Sequence, residues 1–279
     1  MRVVAHVSLV VAILFVALLC VACGSGRSTT LASASTELQV TTTTTAPPTT
    51  TTAVATTTST GSTTTSAPPV TLPDGRVIQI YYETVQAKGE VHALASPAGA
   101  AVQTFERINE LRAVTTMLAV SSPSSGGAQG WYEVLLPKRP NGSKGWVPGD
   151  EVSASLVTTA VVVRLGAHKL TLYDLGRESA TYPVGVGSAA NPTPTGDFFV
   201  IGVLKGDPSS AYGSYAIGTS AFSDTLTDWP GGGVVGIHGT NDPGSVGRNV
   251  SHGCIRLRNE DITQLARAIS LGTPIFIFP

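Results

Sequence analysis

The sequence has little charge. Only 13% of its 279 residues are charged, and 17 Lys and Arg against 18 Asp and Glu leave a net charge of -1. A protein that binds nucleic acid usually presents a basic face, because contacts to phosphates supply much of the affinity. The composition therefore argues against a nucleic-acid partner, and it leaves other classes of partner open.

Cysteine is also scarce. The three cysteines are Cys20, Cys23 and Cys254. The first two close an almost wholly apolar run, Val7 to Ala22, which is too short to span a membrane comfortably and predicts a signal peptide over residues 1–23. The run ends C-V-A-C-G-S and resembles a bacterial lipoprotein signal, which implies a lipid on Cys23 and an anchor at the outer face of the plasma membrane. A simple cleaved signal peptide and an uncleaved anchor are the alternatives.

Cys254 is then the only thiol of the exported part, which excludes an internal disulfide there. A leftover cysteine in an exported protein indicates a reactive thiol. Residue types alone leave two other interpretations open. Cys254 is a small buried apolar residue, or it binds a metal together with His238 and His252, although zinc sites want three or four ligands and Cys254 is not part of a C-x-x-C pair.

Residues 24–70 are dominated by Thr, Pro and Ser. Sixteen of the 25 residues from 41 to 65 are threonine. Such a segment cannot bury enough apolar surface to offset the entropy lost on ordering. We therefore expect a disordered linker between the N-terminal signal and the first domain.

Residues 71–156 contain short β-like runs separated by Gly and Pro turns, which predict a small β-barrel or sandwich. The runs are Val77–Tyr82, Leu111–Val120, Trp131–Leu136 and a strand that starts at Gly145. The pair G-W-Y-E-V-L-L-P and G-W-V-P-G-D-E-V resembles bacterial SH3-like domains. Trp131 and Trp146 are then core residues, with a ligand groove as the less favoured alternative.

Residues 157–279 predict a second β-rich domain. Its expected strands are Thr159–Arg164, Lys169–Asp174, Asp197–Val203 and Pro274–Pro279. Apolar residues at i, i+3, i+4 and i+7 from Ile262 to Ile269 predict one short helix, with Asn259 as its N-cap. The whole chain is therefore expected to be mainly β.

His238, in G-I-H-G-T-N, is the better partner for Cys254. His252 lies two residues before the cysteine and cannot easily fold its ring onto the sulfur, so it shapes the site through its backbone. An imidazole activates a thiol by taking its proton and then needs an orienting acceptor, for which the Gly239 carbonyl is available. The N–H groups of Gly253 and Cys254 are candidate oxyanion donors. Thiolate, base and oxyanion hole together indicate acyl transfer.

The run H-G-T-N-D-P-G-S-V-G-R-N-V-S-H-G-C-I-R-L-R-N, residues 238–259, resembles the active-site signature of the L,D-transpeptidase (YkuD-like) family. T-P-T-G-D-F and Y-G-S-Y-A-I-G upstream resemble two further family segments, so the likeness covers about residues 159–279. It implies a β-sandwich-like catalytic domain that acts on peptidoglycan stem peptides in the cell wall, with no cofactor and no metal.

The resemblance also implies roles for single residues. Cys254 attacks the carbonyl of the third stem residue, D-alanine leaves, and the thioester is resolved by a neighbouring stem to give a 3→3 cross-link. His238 is the base. The residues expected to line the substrate site are Ser251, His252, Arg256, Tyr212 and Tyr215. Arg256 meets a substrate carboxylate or braces the fold, two alternatives that the sequence leaves equal.

Several outcomes stay open within and beyond this class. Water in place of an amine makes the protein an L,D-carboxypeptidase, and some family members attach proteins to the wall. A catalytically silent wall-binding protein is the alternative from another class. Carbapenem-type β-lactams are expected to acylate Cys254. The stretch 220–233 looks longer than the compact family form and is expected to shape the cleft.

Overall fold

The computed structural model describes residues 69–227 and 232–279. The predicted signal peptide, the lipidation site at Cys23 and almost all of the predicted linker lie outside the described residues, as do residues 228–231 of the stretch expected to shape the cleft. In the described part, no helix is long and apolar enough to cross a membrane.

Strands dominate the described residues, which also contain one α-helix and two single-turn 3-10 helices, so the prediction of a mainly β fold with one helix is confirmed. The strands are β1 (Tyr82–Ala87), β2 (Val91–Leu94), β3 (Ala101–Phe105), β4 (Thr116–Ser121), β5 (Trp131–Leu135), β6 (Lys144–Pro148), β7 (Val152–Val157), β8 (Thr159–Arg164), β9 (Lys169–Asp174), β10 (Arg177–Pro183), β11 (Val186–Gly187), β12 (Gly196–Lys205), β13 (Tyr215–Phe222), β14 (Val234–His238), β15 (Asn249–Ser251), β16 (Ile255–Arg256) and β17 (Pro274–Phe278). The helix α1 spans Asn259–Ala268, and the 3-10 turns are Pro123–Ser125 and Pro243–Ser245.

The first sheet has seven strands in the order β3-β2-β6-β5-β4-β1-β7. The predicted strand at Val77–Tyr82 is wrong, because β1 begins only at Tyr82. The preceding residues form a small hairpin of their own, in which the Ile78 N–H donates to the Val70 carbonyl at 2.9 Å. The likeness of this sheet to SH3 domains stays a prediction; Trp131 and Trp146 are both half-buried.

The second sheet has eight strands in the order β10-β9-β8-β17-β12-β13-β14-β16. The predicted strands Thr159–Arg164 and Lys169–Asp174 are confirmed as the antiparallel pair β8 and β9. Pairing is parallel between β17 and β8 and between β14 and β16. Strands β11 and β15 form a separate parallel pair. A bridge between Gly185 and Arg256 links the segment of this pair to β16 at the edge of the second sheet.

The central strands of the second sheet are buried on both faces, which explains their continuous apolar sequences. Successive side chains of a strand point to opposite faces. In β8, Val162 belongs to a core shared with the first sheet, whereas Val161 and Val163 belong to a core beneath α1. The two sheets are therefore packed against one another through a common apolar layer.

Helix α1 covers the other face of the second sheet with the fully buried Ile262 and Leu265. The prediction that Asn259 caps this helix is wrong. The helix begins at Asn259 itself, and the preceding Arg258 makes no side-chain cap. The Asn259 side chain instead reaches two loops beside the site described next.

Candidate active site

His238 is the last residue of β14 and is only 4% exposed. Its Nδ1 lies 2.6 Å from the Gly239 carbonyl oxygen. Because a carbonyl oxygen can only accept a hydrogen bond, Nδ1 carries the proton and Nε2 keeps its lone pair. Burial lowers the pKa of His238 to about 4, and the positive charge of Arg256 acts in the same direction. The ring is therefore a neutral base at neutral pH.

Cys254 lies between β15 and β16 and is half-buried. Its Sγ accepts a hydrogen bond from the Gly236 N–H at 3.4 Å. Burial of the thiol raises the pKa of Cys254, although the Gly236 N–H and the charge of Arg256 oppose this shift. Both pKa shifts favour the uncharged forms, a protonated thiol at Cys254 and a neutral imidazole at His238.

The turn that carries Cys254 is fixed by two buried hydroxyl groups. Ser251, 1% exposed, donates from Oγ to the Cys254 carbonyl at 2.5 Å and accepts the Gly253 N–H at 3.1 Å. Thr193 Oγ1 donates to the Gly253 carbonyl at 2.8 Å and accepts the Gly187 N–H at 2.9 Å. Gly253 has a φ of +109°, which excludes a side chain at this turn.

These contacts bear on two sequence-based expectations. The Ser251 hydroxyl supports the turn around the thiol and does not face the cavity. The Gly253 N–H, expected as an oxyanion donor, is engaged by Ser251 Oγ in this structure. Thr193 begins the family-like segment T-P-T-G-D-F, but nothing in the sequence indicates its contact with Gly253.

His238 and Cys254 line the same cavity, whose volume is about 160 Å³. Most of its lining is apolar. The lining residues are Leu111, Leu204, Tyr212, Ala216, Ile217, Gly218, Ser223, Leu226, Gly233, Val234, Val235, Gly236, His238, His252 and Cys254. The exposed His252 is therefore at the cavity as well as beside the thiol in sequence.

The two predicted tyrosines have different positions. Tyr212 lies in the loop before β13, is 55% exposed, and its ring meets that of His238 edge-on with centroids 4.9 Å apart. Tyr215 packs against the core beneath α1, and its carbonyl accepts the Gly239 N–H at 3.0 Å. Tyr212 is thus placed at the cavity, whereas Tyr215 positions the backbone after His238.

Arg256 is fixed by its backbone, which exchanges two 2.8 Å hydrogen bonds with Gly185. Its side-chain Nε is buried without a hydrogen-bond partner, and no carboxylate in the described ranges forms an ion pair with it. A buried guanidinium nitrogen left unpaired is costly. Arg256 is not among the residues that line the cavity described above.

Asn259 joins two loops near the site to the start of helix α1. Its Oδ1 accepts the Ser214 N–H at 2.9 Å, and its Nδ2 donates to the Pro208 and Thr240 carbonyls at 3.0 and 3.2 Å. The side chain fits because Gly239 is a glycine, where a Cβ would lie 2.3 Å from Asn259 Oδ1. Asn259 thereby holds the backbone that orients His238.

Among the residues that the structure describes, no three His, Cys, Asp or Glu side chains are grouped to hold a metal ion. The polar groups around Cys254 are instead arranged as thiol, base and backbone donors. This set is suited to nucleophilic catalysis by a thiol.

Comparison with known proteins places this chain in a family. A sequence model of the L,D-transpeptidase catalytic domain (YkuD) matches residues 158–277. YkuD of Bacillus subtilis, named as an L,D-transpeptidase, is 38% identical over 117 residues, which are 42% of this chain and 64% of that protein. YqjB of the same organism, named likewise, is 32% identical over 128 residues, 42% of this chain and 69% of that protein. The chain belongs to the L,D-transpeptidase family.

The match is partial in length and in structure. The chain spans just under two thirds of the first two curated relatives, at 64% and 65% of their lengths. An L,D-transpeptidase structure from Mycobacterium tuberculosis H37Rv is 20% identical over 60% of this chain and 91% of its own, with a TM-score of 0.39. Membership therefore rests on the sequence matches.

Proposed function

We propose that the chain is an exported L,D-transpeptidase that joins peptidoglycan stem peptides by 3→3 cross-links through a thioester on Cys254. One observation carries the proposal. The Cys254 thiol opens into the same apolar cavity as His238, whose proton is held on Nδ1 by the Gly239 carbonyl, so that Nε2 is available as the base.

In the first half-reaction, Cys254 Sγ attacks the carbonyl carbon of the third stem residue and His238 Nε2 takes the thiol proton. Because the resting pair is neutral, we expect deprotonation to accompany the attack and not to precede it. The bond from this carbonyl to the nitrogen of the terminal D-alanine then breaks, and the imidazolium returns the proton to the leaving amine. The products are a thioester and free D-alanine.

In the second half-reaction, the side-chain amine of a neighbouring third residue attacks the thioester carbon. His238 takes the proton of this amine and returns it to Sγ as the carbon–sulfur bond breaks. An amide bond between two third residues and a restored thiol result. No cofactor enters either half-reaction.

The oxyanion of both steps needs a fixed N–H donor, which is typically worth about 3 kcal/mol in the transition state. We assign this role first to the Cys254 N–H, since the Gly253 N–H is held by Ser251 Oγ. We assign to the guanidinium of Arg256, as the resemblance implies, the contact with a substrate carboxylate. Tyr212 and His252 contact the peptide at the cavity.

The same acyl-enzyme also accounts for the alternatives. Hydrolysis of the thioester gives an L,D-carboxypeptidase, and a protein amine as acceptor gives attachment to the wall. A silent wall-binding protein would need no ordered base. The His238–Gly239 contact orders the base and therefore disfavours this alternative. A carbapenem, whose strained ring carbonyl a thiol opens, should acylate Cys254.

A mass-spectrometric time course tests the proposal. The full chain is mixed with a disaccharide-tetrapeptide, beside a Cys254→Ala variant. A cross-linked dimer that has lost one D-alanine, absent in the variant, is expected. Tripeptide alone would shift the assignment to a carboxypeptidase. No product from a folded wild-type protein would refute the proposed enzyme and favour the wall-binding alternative.

A further inference from the structure

A hairpin of the first sheet reaches the second sheet beside the active site. Residues 107–115 connect β3 to β4, closed by the Thr115 N–H, which donates to the Arg107 carbonyl at 2.8 Å, and by a bridge between Ile108 and Val114. At its tip, Arg112 has a φ of 60°, which marks a tight turn. The tip joins two strands of the first sheet but lies against β12 and β13 of the second sheet.

Asn109 fixes both the shape and the position of this hairpin. Its Oδ1 accepts the N–H groups of Leu111 and Ala113 at 3.0 and 3.1 Å. Its Nδ2 donates to the carbonyl of Ile201 in β12 at 2.8 Å. One side chain therefore orders the tip and ties it to the second sheet, which sets where Leu111 points.

Leu111 fills a notch made by two glycines. Gly202 of β12 and Gly218 of β13 are direct cross-strand partners. A Cβ at Gly202 would lie 2.8 Å from Leu111 Cδ1, and a Cβ at Gly218 would lie 2.2 Å from the same atom. Since real Cβ contacts are longer than this, the leucine side chain keeps its present position only while both residues are glycine.

The notch opens towards the catalytic cavity, because Leu111 and Gly218 line this cavity together with His238 and Cys254. The surrounding wall is aliphatic, formed by Leu204, Leu226 and their neighbours. An aliphatic wall does not compensate the desolvation of charged or polar groups, so it suits alkyl groups.

The following inference rests on the proposed function. We propose that Leu111 is a specificity-determining residue. Through Leu111, the hairpin of the first sheet supplies the wall that receives an alkyl portion of the acyl-donor peptide. Two alkyl groups lie near the reacting carbonyl of such a donor. They are the methyl of the leaving alanine and the methylenes of the third residue.

Binding tests this inference without depending on turnover. In a Cys254→Ala background, the Kd of the tetrapeptide is measured by calorimetry with Leu111, Leu111→Ala and Leu111→Met. We expect about ten-fold weaker binding for the alanine variant and near-normal binding for methionine, because small losses of apolar contact in a pocket have effects of this size. Ile108→Ala is the matched control, since Ile108 is on the same hairpin, 45% exposed, and does not line the cavity.

A second donor ending in glycine separates the two alkyl sources. If the effect of Leu111→Ala disappears with glycine, Leu111 contacts the leaving methyl; if it persists, Leu111 contacts the third residue. Both results support the inference. Equal Kd values for Leu111 and its alanine variant with both donors, or an equal loss for Ile108→Ala, would overturn it.

In active protein, Leu111→Ala should raise KM for the tetrapeptide and leave the alkylation rate of Cys254 by iodoacetamide unchanged. Thermal unfolding identifies any variant that fails to fold. If Leu111→Ala fails to fold, Leu111→Val replaces it as the variant expected to weaken binding, and Leu111→Met remains the conservative comparison. Failure of the proposed transpeptidase appears as no product with intact, Leu111-dependent binding. Failure of the present inference appears as product with Leu111-independent binding.

Discussion

The contact between Leu111 and the glycine notch makes a quantitative prediction about stability. A Cβ added at Gly218 would lie 2.2 Å from Leu111 Cδ1 and 3.4 Å from Ile201 Cγ1, so the leucine is the main obstacle. Overpacking of this kind typically costs about 1–3 kcal/mol. Gly218→Ala should therefore lower the free energy of unfolding by about 2 kcal/mol, in spite of the backbone entropy that alanine saves in the unfolded chain.

Leu111→Ala by itself should also destabilise the protein. Truncation of a fully buried leucine costs about 2–5 kcal/mol, and the half-buried Leu111 should therefore cost about 1–2 kcal/mol. In the double variant the methyl group introduced by Gly218→Ala occupies space that the leucine has left. We expect the double variant to be about 1–2 kcal/mol more stable than the sum of the two single effects.

Urea unfolding followed by tryptophan fluorescence measures the cycle. Gly236→Ala is the matched control. Gly236 of β14 is the cross-strand partner of Gly218 in β13, but a Cβ added at Gly236 would meet only the Ile217 carbonyl oxygen, at 3.4 Å. That variant should be additive with Leu111→Ala. Additivity of Gly218→Ala with Leu111→Ala to within about 0.5 kcal/mol would refute the notch packing.

Three further predictions concern the titrating groups and their support. The pKa of His238 falls from 6.5 unfolded to about 4 folded, so the unfolded chain binds more protons between these values, and stability should rise with pH across this window by about 3 kcal/mol. A His238→Gln variant with the same pH slope would contradict this. The raised pKa of Cys254 predicts that its alkylation by iodoacetamide still accelerates as the pH rises above the usual titration range of a cysteine thiol, whereas a plateau at neutral pH would indicate a thiolate–imidazolium pair. Asn259→Ala removes hydrogen bonds to Ser214, Pro208 and Thr240 and should lower both stability, by about 1–3 kcal/mol, and turnover; wild-type values for both would exclude a positioning role.

Much of the second sheet is predictable because its strands are long apolar runs bounded by turns. Both β8 and β9 were located to the residue, since each is rich in β-branched or leucine residues on either side of L-G-A-H. The run Val77–Tyr82 has a similar composition, yet Ile80 is 59% and Tyr81 56% exposed. Composition alone cannot tell a buried strand from an apolar surface segment.

The chemical residues of the site were also readable, because the signature around His238 and Cys254 is contiguous in sequence. The residues that hold these groups in position were not readable from the sequence. Thr193 reaches Gly253 across 60 positions, and Leu111 meets Gly218 from another sheet. Asn259 carried a valid capping signal, but its side chain found partners in two loops that the sequence does not place nearby.

The layer shared by the two sheets sets a limit on how this protein can be divided. The family match begins at residue 158, where the second sheet starts. Val162, Phe199 and Phe276 nevertheless point into the core that the first sheet completes. Excision at that boundary would bring these side chains into water at about 1.5–3 kcal/mol each. The segment matched by the family is therefore shorter than the segment that completes the core in this chain. A relative in which another segment replaces the first sheet must cover the same face of the second sheet in another way.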